Sequence, residues 1–198
     1  DVEAFAEWYS FVADAKAFRL SRTAKNQKDF KVSAMDRWKH WKPYAMVVCP
    51  IYQLPRSSSQ IYHQAITRDV CVFTYSHLAL LIRYADIAWP DRAIALLKKI
   101  FETISTLNPS KSAIDYWSII NRLILSDHPT IAAIWHDEKI ASAESIEIAK
   151  QEGLTFLAKE RAKIVWLSHT DAIKELLRIN KIDSKIRVIS SIGDNWLF

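Results

Sequence analysis

Only two of the 198 residues are glycine. Tight hairpin turns depend on residues that accept positive φ, glycine above all. A sandwich or barrel full of such turns therefore does not suit this chain. Half of the residues are apolar and 12% are aromatic, enough to fill a core at this length. The expectation is a small sheet set among many helices.

Residues 1–18 alternate loosely and predict a β-hairpin, with strands over 1–6 and 11–18 and a turn near 7–10. From Ser21 to Lys28 the one apolar side chain is Ala24, so this piece reads as a polar helix anchored through Phe30 and Val32. Ser33 and Asp36 mark the start of a second helix, to about Trp41, which Pro43 ends. YAMVVC at 44–49 and VCVFTY at 70–75 are apolar, strand-like runs. Between them Ser57 and Gln60 form a capping box for a helix to about Ile66, and Ser76 caps another, HLALLIRYA. The order strand, helix, strand, helix predicts a mixed α/β core whose later strands are parallel.

After Trp89–Pro90 the pattern changes. Ile94, Leu97, Phe101 and Ile104 recur at helical spacing, as do Ile114, Trp117, Ile120 and Ile124. A long helix is expected from about Ser142 to Ser168, where Gly153 costs it about 1 kcal/mol. Two short helices follow over 170–179 and 184–192. The second half is read as all-helical, with Trp117, Trp135 and Trp166 in its core. The domain division expected is an α/β core over 1–90 and a helical region over 91–198.

Strand side chains alternate, so Val12, Asp14, Lys16 and Phe18 share one face, and Phe11, Ala13, Ala15 and Ala17 the other. The small alanines suit a face covered closely by a helix. Asp14 and Lys16 are separated by about 6.5 Å of strand rise. A carboxylate there can hold Mg²⁺, which takes hard oxygen ligands. The ammonium beside it can stabilise charge developing on a phosphate or orient an attacking water. A competent metal site needs a second carboxylate, and Asp1 on the partner strand, about 4.8 Å away, is the natural candidate. Glu3 lies on the same face, as a further ligand or as an ordinary surface residue. D-x-K alone is a short motif, and on many strands it is a solvated face.

Residues 16–32 carry six Lys/Arg against Asp29, so this stretch equals the net charge of +5; residues 91–198 hold fifteen bases and fourteen acids. A localised basic patch on a balanced surface points to a polyanion. From Lys16, the cations Arg19, Arg22, Lys25, Lys28 and Lys31 follow at every third position. On a helix such steps drift around the axis, a spiral able to follow phosphates on either side of a groove. Asn26 and Gln27, set among them, carry amides that can read adenine edges in the major groove. If all six cations met phosphates, log K would fall with log salt at a slope of roughly −5 per subunit. A solvent-exposed charged helix is the plainer alternative.

Cys49 and Cys71 sit in apolar runs and read as reduced, buried thiols. His63, His77, His128, His136 and His169 show no metal-ligand spacing and are assigned structural roles. No run approaches the ~20 apolar residues of a membrane span and no signal peptide is visible, so a cytoplasmic location is expected.

The stretch VADAKAFRLSRTAKNQKDFKV at 12–32 closely resembles the HindIII family of type II restriction endonucleases. The similarity continues more loosely through YAMVVCPIYQLPRSSSQIYHQ and VCVFTYSHLALLIRYA, covering about 1–85 well. In the helical half it thins, apart from SKI at 184–186 and the aromatic end. The resemblance implies a Mg²⁺-dependent homodimer of the PD-(D/E)xK superfamily, with a restriction-endonuclease-like sheet. It implies cleavage of duplex DNA at the palindrome AAGCTT, leaving 5′ overhangs. The family's two catalytic aspartates and lysine fall on Asp1, Asp14 and Lys16, the residues that strand geometry singles out. The family also has an N-terminal helical region with another acidic site residue, which is expected to precede Asp1 in a longer protein. The rival reading is a DNA-binding module, or inactive nuclease remnant, that holds duplex DNA without cutting it. A helical interaction protein with an incidental basic face is a third.

Overall fold

The computed structural model describes residues 2–17, 30–55 and 57–190, and of Val188 the backbone alone. β1 (Val2–Phe5) and β2 (Ser10–Ala15) form an antiparallel hairpin that pairs Val2 with Ala13 and Glu3 with Val12. β2 runs parallel to β3 (Tyr44–Cys49), and β3 runs parallel to β4 (Val70–Thr74), so the sheet order is β1-β2-β3-β4. The mixed sheet and its parallel later strands are as the sequence predicts. β3 and β4 are buried almost throughout. Strands covered on both faces cannot alternate in polarity, which explains the unbroken apolar runs in their sequences.

Four helices pack on this sheet: α1 (Val32–Trp38), α2 (Gln60–Thr67), α3 (Tyr75–Ala88) and α4 (Pro90–Ser105). Phe30 and Val32 are buried, and Val32 opens α1; the polar helix over 21–28 that they were expected to anchor lies outside the described residues. α4 begins with Pro90, whose missing N–H costs nothing at a helix start, and buries Ala93, Leu96, Ile100, Phe101 and Ile104 at helical spacing. Phe101 stacks on Tyr44 at 4.8 Å between ring centroids and meets Phe11 at 5.3 Å. Such ring pairs contribute about 0.5–1.5 kcal/mol beyond their buried area, so this cluster fixes the hairpin against α4. Cover of the Phe11 face stops there. Ala13 is partly buried, while Ala15 and Ala17 are exposed rather than covered by a helix.

α5 (Ala113–Asp127) closes the β4 edge through one side chain. The Tyr116 hydroxyl accepts the Val72 N–H at 2.8 Å and donates to the Val72 carbonyl at 3.1 Å. This satisfies backbone groups that an outer strand otherwise leaves open.

Several element starts differ from the sequence-based expectation. α1 is capped by the Lys31 backbone at φ 44° with no side-chain cap. Asp36 instead pairs with Arg68 at 2.9 Å and with Lys39 at 3.3 Å. α2 is capped by Ser59, which accepts from the Ile61 N–H at 3.2 Å, rather than by Ser57. Ser57 uses its carbonyl to accept the Ala113 N–H at 2.8 Å. Thr74, not Ser76, caps α3; Ser76 hydrogen-bonds Ser142. The long helix, α6 (Ile131–Val165), begins well before Ser142 and runs through Gly153.

The chain divides into two compact units, 1–153 and 154–198. The first holds the sheet, α1 to α5 and most of α6. The second holds the end of α6, α7 (His169–Ile179) and α8 (Ile182–Ser190). Trp117 is partly buried and Trp135 buried in the first unit, as expected. Trp166 is not a core residue: it is 87% exposed. Among the described residues no helix is long and apolar enough to cross a membrane.

Candidate active site

The carboxyl ends of β2 and β4 bring Asp14, Lys16 and Tyr75 together. In open sheets with parallel strands this is the end at which ligand crevices form. On β2, Val12 is fully buried and Asp14, on the same face, is 8% exposed and paired in register with Val47. Lys16 follows the last strand residue, yet its N–H still donates to the Val48 carbonyl at 2.7 Å. Its ammonium forms an ion pair with Oδ2 of Asp14, both side chains being 11% exposed. At that depth an unpaired charge is costly, and each partner spares the other that penalty. Strand alternation thus brings Asp14 and Lys16 together, as expected.

β3 ends at Cys49, and Pro50 leads into a 3-10 turn over Ile51–Gln53. β4 ends at Thr74, and Tyr75 follows. The Tyr75 hydroxyl donates to the Lys16 carbonyl at 3.2 Å. Burial raises the Tyr75 phenol pKa, with Cys49, Tyr52 and the Asp14 carboxylate adding to the shift. The phenol therefore lies within electrostatic reach of both Tyr52 and Asp14. Sequence reasoning missed Tyr75, reading it as the last residue of a strand. No local signal marks it, because its partner Lys16 follows a strand that lies two places away in the sheet.

Asp1, Arg19, Arg22, Lys25, Asn26, Gln27 and Lys28 lie outside the described residues. Lys31 is described and exposed, with its carbonyl accepting from Ala34 and Met35 at 2.8 and 2.9 Å. Glu3 is committed elsewhere, to Lys42 at 2.9 Å, and that ammonium also sits 5.5 Å above the Phe5 ring. Among the described residues no group of three or more His, Cys, Asp or Glu side chains could hold a metal. A Mg²⁺ ion needs fewer, since it commonly takes one or two carboxylates and completes its shell with water and substrate phosphates. Asp14, at the strand ends, fits such a donor set.

Cys49, Cys71 and His77 are withdrawn into the core. Burial pushes the thiols of Cys49 and Cys71 up to about 12, and both cysteines are free. His77 is buried against Phe73, Trp117 and Trp135, with Thr74 and Asn121 on its ring nitrogens. Burial lowers its pKa to about 4. It is a structural histidine, as expected.

The family model for the HindIII restriction endonuclease matches residues 1–193. The type II restriction enzyme HindIII of Haemophilus influenzae is 52% identical over 75 residues, which is 38% of this chain and 25% of that protein. The chain thus aligns with about a quarter of that relative's length.

Proposed function

Because the chain belongs to the HindIII restriction endonuclease family, we propose that it carries the catalytic core of a type II restriction endonuclease. The reaction is hydrolysis of phosphodiester bonds in duplex DNA at a palindromic site, AAGCTT, leaving 5′ overhangs. The observation that carries this reading is the Asp14–Lys16 ion pair at the carboxyl end of β2, with Lys16 held in register by Val48.

Asp14 and Asp1 are the residues that would hold a divalent cation, Mg²⁺. Asp1 precedes Val2, which pairs with Ala13, the neighbour of Asp14. What such an ion supplies when bound is charge neutralisation at the phosphate and a more acidic water. Lys16, held beside Asp14, orients the attacking water and meets the negative charge that develops on the phosphate. The segment from Arg19 to Lys31 starts three residues after Lys16, so cations enter the sequence directly beside the catalytic lysine. Arg19, Arg22, Lys25, Lys28 and Lys31 grip phosphates, while Asn26 and Gln27 reach base edges. A palindromic target calls for a two-fold homodimer, and the helical second half is assigned to its assembly.

Digestion of a plasmid of known sequence tests this directly, with Mg²⁺ or with EDTA. Discrete fragments ending at AAGCTT, absent in EDTA, are expected. Discrete fragments ending at another sequence would overturn the specificity, and salt-sensitive binding with no cleavage would favour the DNA-binding module.

A further inference from the structure

We infer that Tyr75 is a positioning residue for the proposed reaction, holding the Lys16 backbone so that the Lys16 ammonium meets the Asp14 carboxylate. The inference rests on the nuclease reading above and adds a residue to it.

Lys16 stands one position beyond β2, where strand pairing ends, and its backbone has two described ties. Its N–H donates to Val48 on β3 at 2.7 Å, and its carbonyl accepts the Tyr75 hydroxyl at 3.2 Å. The second tie comes from the far side of the sheet. β4 is not the neighbour of β2, since β3 lies between them. Two strand spacings amount to about 9–10 Å. A tyrosine leaving the end of β4 can cross that gap with a donor at its tip. A serine or threonine is too short, and a phenylalanine has no donor.

Tyr75 is itself well placed to act as a strut. It is the first residue of α3, directly after the helix cap Thr74, whose hydroxyl accepts the His77 N–H at 3.3 Å. Its base is therefore fixed where β4 turns into the helix. Yet the residue is 39% exposed, so its hydroxyl is not part of the packed core. A hydrogen bond at this place adds little to stability. What it restricts is the position of one lysine, and catalytic groups must be held within about 0.5 Å of productive geometry.

The test is Tyr75→Phe in the full chain, which removes the hydroxyl and keeps the ring. Hydrogen exchange at the Lys16 amide should quicken several-fold, while the melting temperature stays unchanged. Single-turnover cleavage at saturating DNA should slow about five- to tenfold, the scale of one hydrogen bond. Affinity for an AAGCTT duplex, measured with Ca²⁺ in place of Mg²⁺, should not move. Unchanged exchange at Lys16 would overturn the inference whatever the chain cleaves. So would unaltered cleavage despite faster exchange, or a loss confined to DNA affinity, which would make Tyr75 a DNA contact. Asp14→Asn run alongside separates the two claims. Cleavage by that variant at the unsubstituted rate would remove the nuclease reading itself. Its loss there, with none in Tyr75→Phe, would remove Tyr75 alone.

Discussion

Lys16 donates its N–H to Val48 across a parallel strand pair, at 2.7 Å, one residue after the last pairing of Ala15 with Val48. The lysine is thereby kept in strand alternation beyond the end of its strand, and its side chain returns to the face that bears Asp14. This explains how two residues in a short motif form an ion pair with little exposure to water. It also makes the pair interdependent.

Lys16→Met should therefore destabilise the fold, because it leaves the Asp14 carboxylate unpaired. The expected loss is about 3 kcal/mol by urea denaturation, the scale for breaking a largely buried pair from one side. Adding Asp14→Asn should recover most of it, since the neutral amide no longer needs the ammonium. Additive losses in the double variant would show that the two side chains do not depend on each other.

The basic segment should announce itself in salt dependence. DNA binding measured from 50 to 200 mM NaCl should follow a log–log slope of roughly −5 per subunit. Replacing Arg22 and Lys25 with Gln should flatten that slope by about 2. A slope that does not change on substitution would assign these cations to the solvated surface.

The sheet was legible in the sequence because its causes are local. YAMVVC and VCVFT are unbroken apolar runs, each ended by a residue or cap that stops a strand, and burial on both faces leaves no other pattern. Asp14 and Lys16 were legible for a related reason, since alternation alone places both on the face of Val12. Helix starts were read less well. The pairs Ser33/Asp36 and Ser57/Gln60 have the spacing of caps, but Asp36 is drawn to Arg68 and Ser57 to Ala113. Those partners are distant in sequence and leave no local trace. Tyr75 was invisible for the same kind of reason. Its contact with Lys16 exists because β4 lies two strands from β2, and strand order is a tertiary fact.

His77 should make the protein acid-labile. Its folded pKa of about 4 lies below the ordinary 6.5 because burial opposes the charged ring. The unfolded chain therefore takes up a proton that the folded chain refuses, and stability falls as pH drops from about 6.5 to about 4. Over the full window the loss approaches about 3 kcal/mol. Urea midpoints followed through that range should decline, and less steeply in His77→Gln. Parallel profiles for the two proteins would contradict this assignment.

Cys49 and Cys71 should be unreactive in the folded protein. Both thiols are buried and pushed to about 12, so the nucleophilic thiolate is scarce at neutral pH. A thiol reagent at pH 8 should label neither cysteine natively and both in denaturant. Fast native labelling of either would show that its strand opens readily.

The sharpest measurement is single-turnover cleavage of an AAGCTT duplex in Mg²⁺ by the unsubstituted chain and by Asp14→Asn, with DNA affinity followed in Ca²⁺. Loss of the carboxylate should slow cleavage about a thousandfold or more, the scale of several kcal/mol of lost catalytic stabilisation, while DNA binding persists. Equal cleavage by both proteins, or binding without cleavage by either, would contradict a catalytic site built on Asp14 and Lys16.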